Sequence, residues 1–164
     1  MSDTIALRLP HAEGSYLHEL VQEFLEVIDE AASEGDGAVA RLTPDVYPGD
    51  AEASAAFREA THSDLQGRRR HAAQTVLASL RSFAEERIPG RQQSPGELRL
   101  TPRDVDAWMR TLSAIRLIMA DRLGIADEDT HDPDDLRFGV YDWVGYRLDQ
   151  IVMLADARDA THES

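Results

Sequence analysis

Residues 101–125 read TPRDVDAWMRTLSAIRLIMADRLGI and predict one α-helix complete with both of its ends. Thr101 is a favourable N-cap, Pro102 suits the first helical position, and Asp104 places a carboxylate near the free amide groups of the first turn. Gly124 then predicts a left-handed stop. Apolar residues recur three and four positions apart, which predicts a core helix of an α-rich domain; they are Val105, Trp108, Met109, Leu112, Ile115, Met119 and Leu123.

The rest of the chain predicts further amphipathic helices, at about 13–32, 50–61, 64–86 and 136–157. The second and third of these are divided at Ser63, which forms a capping-box pattern with Gln66. The fold class is therefore predicted to be mainly α, a single-domain bundle of about five helices.

Two short apolar-alternating segments predict strands, at Ile5–Leu9 and Leu98–Leu100. The triplet at Leu7–Leu9 is repeated at Leu98–Leu100, and a helical pattern follows each copy. We therefore interpret the two triplets as a small two-stranded ribbon within the bundle. The domain is predicted to span residues 1–160, followed by a frayed tail at 161–164.

Composition narrows the class of protein. No apolar run approaches the roughly 20 residues of a membrane span, and the N-terminus lacks the apolar stretch of a secretory signal, so we expect a cytoplasmic protein with no membrane partner. The chain has no cysteine, which excludes disulfides, thiol nucleophiles and thiolate metal sites. All 17 basic residues are arginine, which also excludes Schiff-base catalysis and a P-loop, since both need lysine.

Charge is unevenly distributed along the chain. The net charge is −14, with −10 in residues 1–56, +3 in residues 57–91 and −7 in residues 92–164. A protein this acidic is repelled by nucleic acid unless its positive charge is gathered on one face. Direct DNA binding is therefore disfavoured.

The acidic segment Asp127–Asp135 is the one candidate for a cation site. An EF-hand beginning at its first residue requires Gly at the sixth position and Glu at the twelfth, where this chain has Asp132 and Phe138. We interpret the segment as an acidic loop whose last residues cap a helix. No catalytic motif accompanies it, so we expect no enzyme activity, no cofactor and no metal; a carboxylate and histidine metal protein or hydrolase is kept as an alternative.

Two groups of residues are candidates for binding a protein. Arg68, Arg69 and Arg70 form the one basic run, and on a helix they fan across about 200° of the surface. They are interpreted either as a solvated face or as a docking site for an acidic protein segment or a phosphate. Trp143 and Tyr146 are the second group, either in a protein interface or packed within the fold.

Several segments together resemble an actinobacterial family first catalogued as a domain of unknown function and now often called AosR-like oxidative-stress regulators, whose genes commonly neighbour the protease adaptor ClpS. The specific parts are a WxRxLxxxR helix that ends in RLGI and a late YDW triplet. The matching segments are Arg41–Tyr47, Ala53–Asp64, Val76–Leu80, Trp108–Arg116, Arg122–Ile125 and Tyr141–Trp143.

The resemblance implies a cytoplasmic, non-enzymatic regulatory protein that acts through protein partners such as a sigma factor; a protease-adaptor module is the alternative. A cysteine-pair redox switch cannot operate in this chain. Met109, Met119 and Met153 are predicted on core or near-core faces, which argues against direct sensing by methionine oxidation. Leu117 and Ile118 are predicted to lie off the main apolar stripes, as is Val27, so a homodimer is also an expectation.

Overall fold

The computed structural model describes residues 3–34, 42, 49–85, 90, 95–125 and 131–162. Within these ranges the chain forms four α-helices, one 3-10 helix and two strands, which confirms the predicted class of a mainly α bundle with a two-stranded ribbon. None of the described helices has the length and apolar character needed to cross a membrane. In chain order the elements are β1 (Ile5–Pro10), α1 (His11–Glu34), α2 (Ala51–Glu85), β2 (Pro95–Leu100), α3 (Pro102–Leu123), the 3-10 helix (Leu136–Phe138) and α4 (Gly139–His162).

Helix α3 has both of the predicted ends. Thr101 N donates to Asp104 Oδ2 at 2.9 Å, and Asp104 N donates back to Thr101 Oγ1 at 3.3 Å, so the two residues form a complete capping box. At the other end Gly124 adopts a φ of 74°, and Ile125 N donates to Ala120 O at 2.8 Å. These hydrogen bonds satisfy backbone groups that a helix end otherwise leaves free.

The predicted ribbon forms as an antiparallel pair. Leu7 lies opposite Leu98, whereas Leu9 lies opposite Gly96. The alternate residues Ile5, Leu7, Leu9, Leu98 and Leu100 are all buried, so one face of the ribbon covers the helices. Each strand passes directly into a core helix, β1 into α1 and β2 through Thr101 into α3.

The helices pack in chain order, α1 on α2, α2 on α3 and α3 on α4, and the ribbon closes one side. Trp108 is fully enclosed at the centre of α3. Every α-helix contributes enclosed side chains to the same core, among them Leu17, Val21, Val76, Leu80, Leu112, Val144 and Ile151.

Helix α2 runs without interruption from Ala51 to Glu85, so the predicted division at Ser63 is wrong. Asp50 caps its start, accepting a hydrogen bond from Ala53 N at 2.9 Å. Thr61, near the predicted boundary, donates its hydroxyl hydrogen to Phe57 O at 2.9 Å, a bond within one helix. Residues 51–66 contain neither Gly nor Pro. No helix-breaking residue therefore ends the helix before the capping-box pattern at Ser63, and the helix continues through it.

Three further expectations are corrected. Met153 is 71% exposed, because α4 buries Val144 and Ile151 and turns Met153 away from them. Ile118 is buried rather than off the apolar stripe, because α3 packs against both α2 and α4 and therefore needs a wider apolar arc. Helix α4 also extends to His162, beyond the predicted end at residue 157.

Two glycines make room for one buried aromatic ring. A Cβ at Gly14 would overlap the ring of Phe83, and a Cβ at Gly96 would lie 2.6 Å from its Cζ. Phe83 is buried, at 2% exposure, so its ring has little space to retreat into. The start of α1 and the strand β2 therefore approach α2 closely only because both positions are glycine.

We expect Gly14→Ala to lower the free energy of unfolding by about 1–3 kcal/mol through this overlap. The matched control is Gly67→Ala within α2, where nothing lies within 4 Å of the added Cβ, and which we expect to raise stability by about 0.5–1 kcal/mol. Chemical denaturation of both variants gives the two values. If both substitutions change the free energy of unfolding in the same direction, Gly14 is not needed to make room for the Phe83 ring.

Candidate functional site

The three consecutive arginines point in different directions, as the helical spacing predicts. Arg68 pairs with Asp64 one turn earlier at 3.0 Å. Arg70 pairs with Asp29 of α1, so it joins two helices. Arg69 is partly buried and donates to the backbone carbonyl of Leu42.

Arg69 is the least exposed of the three consecutive arginines. Burial lowers the pKa of Arg69, because a guanidinium removed from water loses hydration that favours its charged form. Its Nη1 atom is buried and has no hydrogen-bond partner in the described part of the chain. A substitution here therefore changes packing as well as charge.

The second predicted group lies elsewhere. Trp143 is half-buried, and its Nε1 donates to Glu13 Oε2 at 2.9 Å while its ring lies 5.5 Å from that of Tyr16. Tyr146 is 60% exposed. Both are on α4, which packs on α3 and β1, whereas the arginines are on α2, which packs on α1 and α3. The structure does not bring the two groups to one site.

A cleft opens where α1, α2 and α3 meet. We call it the inner cleft; its volume is about 340 Å³. Its charged side chains are Arg68, Arg69 and Arg110, and none of its described lining residues is acidic. The hydroxyls of Thr111 and Ser113 also line it, and the rest of the described wall is Phe24, Leu42, Leu65, Ala72, Ala114 and Leu117.

A more open depression of about 450 Å³ lies between α2 and α3 and shares part of its lining with the inner cleft; we call it the outer groove. Arg68 and Arg110 belong to both spaces. The outer groove adds Arg103, whose Nη2 lies 2.9 Å from His71 Nε2. Its acidic residues, Asp64 and Asp106, pair with Arg68 and Arg110 on their own helices, at 3.0 Å and 2.9 Å.

Together the two spaces form what we call the basic groove, with four arginines and two aspartates among its described lining residues. Sequence reasoning identified the arginines of α2 but missed Arg103 and Arg110. The available signal was their spacing of seven residues, which places both on one face of α3. The spacing does not identify the helix that lies next to this face, because Arg110 and Arg68 become neighbours only when α2 and α3 pack together.

One polar group in the inner cleft is unusual. Thr111 is only 2% exposed, and its Oγ1 has no hydrogen-bond partner among the described residues. A buried hydroxyl without a partner is costly, by about 1–3 kcal/mol. The inner cleft therefore holds two unpartnered polar atoms, Thr111 Oγ1 and Arg69 Nη1.

A partly buried ion pair joins the start of α1 to α4. Arg147, with 8% of its side chain exposed, donates to Glu13 Oε2 through both Nε and Nη2. Arg147 Nη1 also donates to Gln150 Oε1 at 2.7 Å. Glu13 Oε2 thereby accepts from Arg147 and Trp143 at once, and this network of contacts 130 or more residues apart was not predicted.

The acidic segment is described only from residue 131 onward, and Asp127–Asp129 lie outside the described residues. Asp135 caps the 3-10 helix by accepting from Arg137 N at 3.0 Å, which confirms the predicted role of the last residues of the loop. Hydrogen bonds from Arg137 hold the pKa of Asp135 below its usual value. Across the described ranges no three His, Asp or Glu side chains come together in a metal-binding arrangement.

His131 forms a smaller cluster beside that loop. Its Nε2 lies 2.6 Å from Asp142 Oδ1, and its ring contacts Phe138 and Tyr141 at centroid distances of 4.5 and 5.6 Å. The pair is held between aromatic rings on α4 and the 3-10 helix. Its described contacts are those of a packed histidine.

The ribbon, the four consecutive helices and the basic groove define a small, mainly α-helical protein with an arginine-lined groove between α2 and α3. Residues 1–155 match the model of a family described as "Domain of unknown function (DUF2017)". The match covers nearly the whole chain, so the protein belongs to that family. No curated protein and no solved structure matches the chain significantly.

Proposed function

We propose that this protein is a non-enzymatic regulatory protein that binds an acidic segment of a partner protein in the basic groove. One observation carries the proposal. In a chain of net charge −14, four arginines from two helices line two adjoining depressions that share Arg68 and Arg110. A local positive surface within an acidic protein attracts acidic partners selectively, while the remaining negative charge repels nucleic acid.

We base the proposed class of partner on the family resemblance. The similarity to AosR-like oxidative-stress regulators favours a component of transcription, such as a sigma factor, as the protein that carries the acidic segment. The chain contains no cysteine, so the proposal gives it a role in the response to stress without a thiol switch of its own.

The proposal is tested with paired variants. The test variant combines Arg68→Gln with Arg110→Gln, since these two side chains lie in both parts of the groove. The matched control combines Arg8→Gln with Arg99→Gln, which removes two similarly exposed arginines from the ribbon. All four side chains form exposed ion pairs, so we expect each double variant to change stability by no more than about 1 kcal/mol.

Each tagged full-length protein is crosslinked mildly in cells of its own species, with and without peroxide, and the captured proteins are quantified by mass spectrometry. We expect a sigma factor or RNA polymerase with wild type and with the ribbon control. The groove variant should capture at least about tenfold less, because hydrogen bonds to charged groups contribute about 1.5–3 kcal/mol each. Peroxide should not change the enrichment, since the chain lacks thiols and its exposed Met153 is not among the residues that line the basic groove.

Equal capture by the groove variant and the control would remove the basic groove from the interaction. Capture of protease components in place of transcription components would favour the adaptor alternative. Reversal of Arg68, Arg69 and Arg70 together is a poorer test, because Arg69 holds the Leu42 carbonyl and Arg70 ties α2 to α1.

A further inference from the structure

We propose that the inner cleft binds a small organic acid, with a carboxylate at Arg69 and Thr111 and a compact apolar body against the wall of the cleft. This goes beyond the proposed protein–protein function and does not depend on it, since the ligand binds the isolated protein. It also provides a regulatory input for a chain that cannot sense through cysteine.

The shape and lining of the inner cleft fit such a ligand. Its volume of about 340 Å³ lies in the range of small-molecule sites. Just over half of its described lining residues are apolar, and its polar side chains are of two kinds, guanidinium cations and hydroxyls, all of which can donate a hydrogen bond. An apolar wall with a few polar groups is the usual composition of a site that takes an amphiphilic small molecule.

The charged side chains of the inner cleft favour the binding of an anion. Arg68 and Arg110 have aspartates as partners on their own helices. Arg69 has instead the carbonyl of Leu42, and its Nη1 has no partner among the described residues. A carboxylate beside this guanidinium would restore the electrostatic stabilisation lost on burial and form charge-assisted hydrogen bonds.

Thr111 gives independent support. Its hydroxyl is the second unpartnered polar atom of the inner cleft, and at 2% exposure it gains nothing from bulk water. A ligand oxygen would supply the missing partner. Both polar atoms lie beneath the molecular surface, so we expect the Arg69 and Thr111 side chains to rotate when a ligand binds.

The first experiment is a titration of the purified full-length protein with matched acids and amides. Benzoate, phenylacetate, hexanoate and octanoate are compared with benzamide, phenylacetamide, hexanamide and octanamide by calorimetry and thermal melting. We expect at least one acid to bind with a stoichiometry of one and to raise the melting temperature, while the matching amide does not. Acetate, a control acid without a sizeable apolar body, should also fail to bind. The proposal is overturned if no acid binds, or if an amide binds as tightly as its acid.

Three variants then place the ligand. Arg69→Gln is expected to weaken the binding of the best acid at least about tenfold. Thr111→Val removes the hydroxyl and keeps the shape; we expect it to weaken binding and yet to raise the melting temperature of the ligand-free protein, because an unpartnered buried hydroxyl is lost. Arg81→Gln, at an exposed position of the same helix α2 outside the inner cleft, is the control and should bind as wild type.

The test remains decisive if Arg69→Gln folds poorly, because Thr111→Val is expected to weaken binding while it raises the melting temperature of the ligand-free protein. Wild-type affinity in Thr111→Val, or a loss in Arg81→Gln as large as that in Arg69→Gln, would overturn the proposed site. No partner protein is present in the titration, so its failure leaves the capture experiment unaffected. Equally, a groove variant that captures normally says nothing against acid binding.

Discussion

Glu13→Ala is expected to lower the free energy of unfolding by about 3 kcal/mol, because it leaves the buried Arg147 guanidinium without its counter-charge. Arg147 has 8% of its side chain exposed and makes two hydrogen bonds to Glu13 Oε2. The substitution also removes the acceptor of Trp143 Nε1. For a chain of this size the loss corresponds to a fall in melting temperature of roughly 6–12 °C, which calorimetry measures directly.

Two controls separate the buried charge from other effects of this substitution. Glu26→Ala removes an exposed carboxylate from the same helix and is expected to change stability by no more than about 0.5 kcal/mol. The double variant Glu13→Ala with Arg147→Met removes both charges and should recover much of the loss, because an apolar side chain tolerates burial without a partner. A double variant that is no better than Glu13→Ala would show that the cost arises from lost packing.

The fold was largely predictable because its information is local. The capping box at Thr101 and the left-handed stop at Gly124 each depend on residues close together in the chain, and both are confirmed. The ribbon joins distant parts of the chain, Leu7 with Leu98, and was predictable because the same triplet precedes a helical pattern in both places. The error at Ser63 has the opposite character. A local cap pattern was present there, but packing of α2 along α1 and α3 favours one continuous helix over two.

The candidate site was only half predictable for the same reason. The arginine run on α2 was evident from sequence, but Arg110 enters the groove only because α3 lies beside α2. The Glu13–Arg147 pair joins residues more than 130 positions apart, and no periodicity indicates it. Met153 was misplaced because α4 is apolar on several sides, so its pattern does not distinguish the buried arc.

The position of the inner cleft on α3 indicates how ligand binding there would affect the outer groove. Arg110 and Thr111, which line the inner cleft, are two and three residues beyond Trp108 on α3, and α3 also supports α4. A ligand that rearranges Thr111 therefore acts on the helix that forms one wall of the outer groove. Binding of an organic acid and of an acidic protein segment would be coupled through Arg68 and Arg110, which belong to both spaces, and each would weaken the other by the same factor.

Trp108→Ala is expected to be the most destabilising single substitution, at about 3–5 kcal/mol, because it empties the centre of the core. Trp108 is fully buried, and its Nε1 donates to Ser79 Oγ of α2 at 2.9 Å, while Ser79 donates in turn to Val76 O at 2.7 Å. The side chain thus fixes the spacing of the two helices that bound the groove. Denaturant unfolding of the variant measures the loss.

Trp108→Phe and Ser79→Ala separate the volume of the indole from its hydrogen bond. Ser79→Ala leaves Nε1 buried without an acceptor and should cost about 1–3 kcal/mol, whereas Trp108→Phe gives up the bond and part of the volume. Once the phenyl ring replaces the indole, loss of the Ser79 hydroxyl should cost much less, so the two changes should not add. Strict additivity would mean that the 2.9 Å contact contributes nothing, and the link between α2 and α3 would then rest on apolar packing alone.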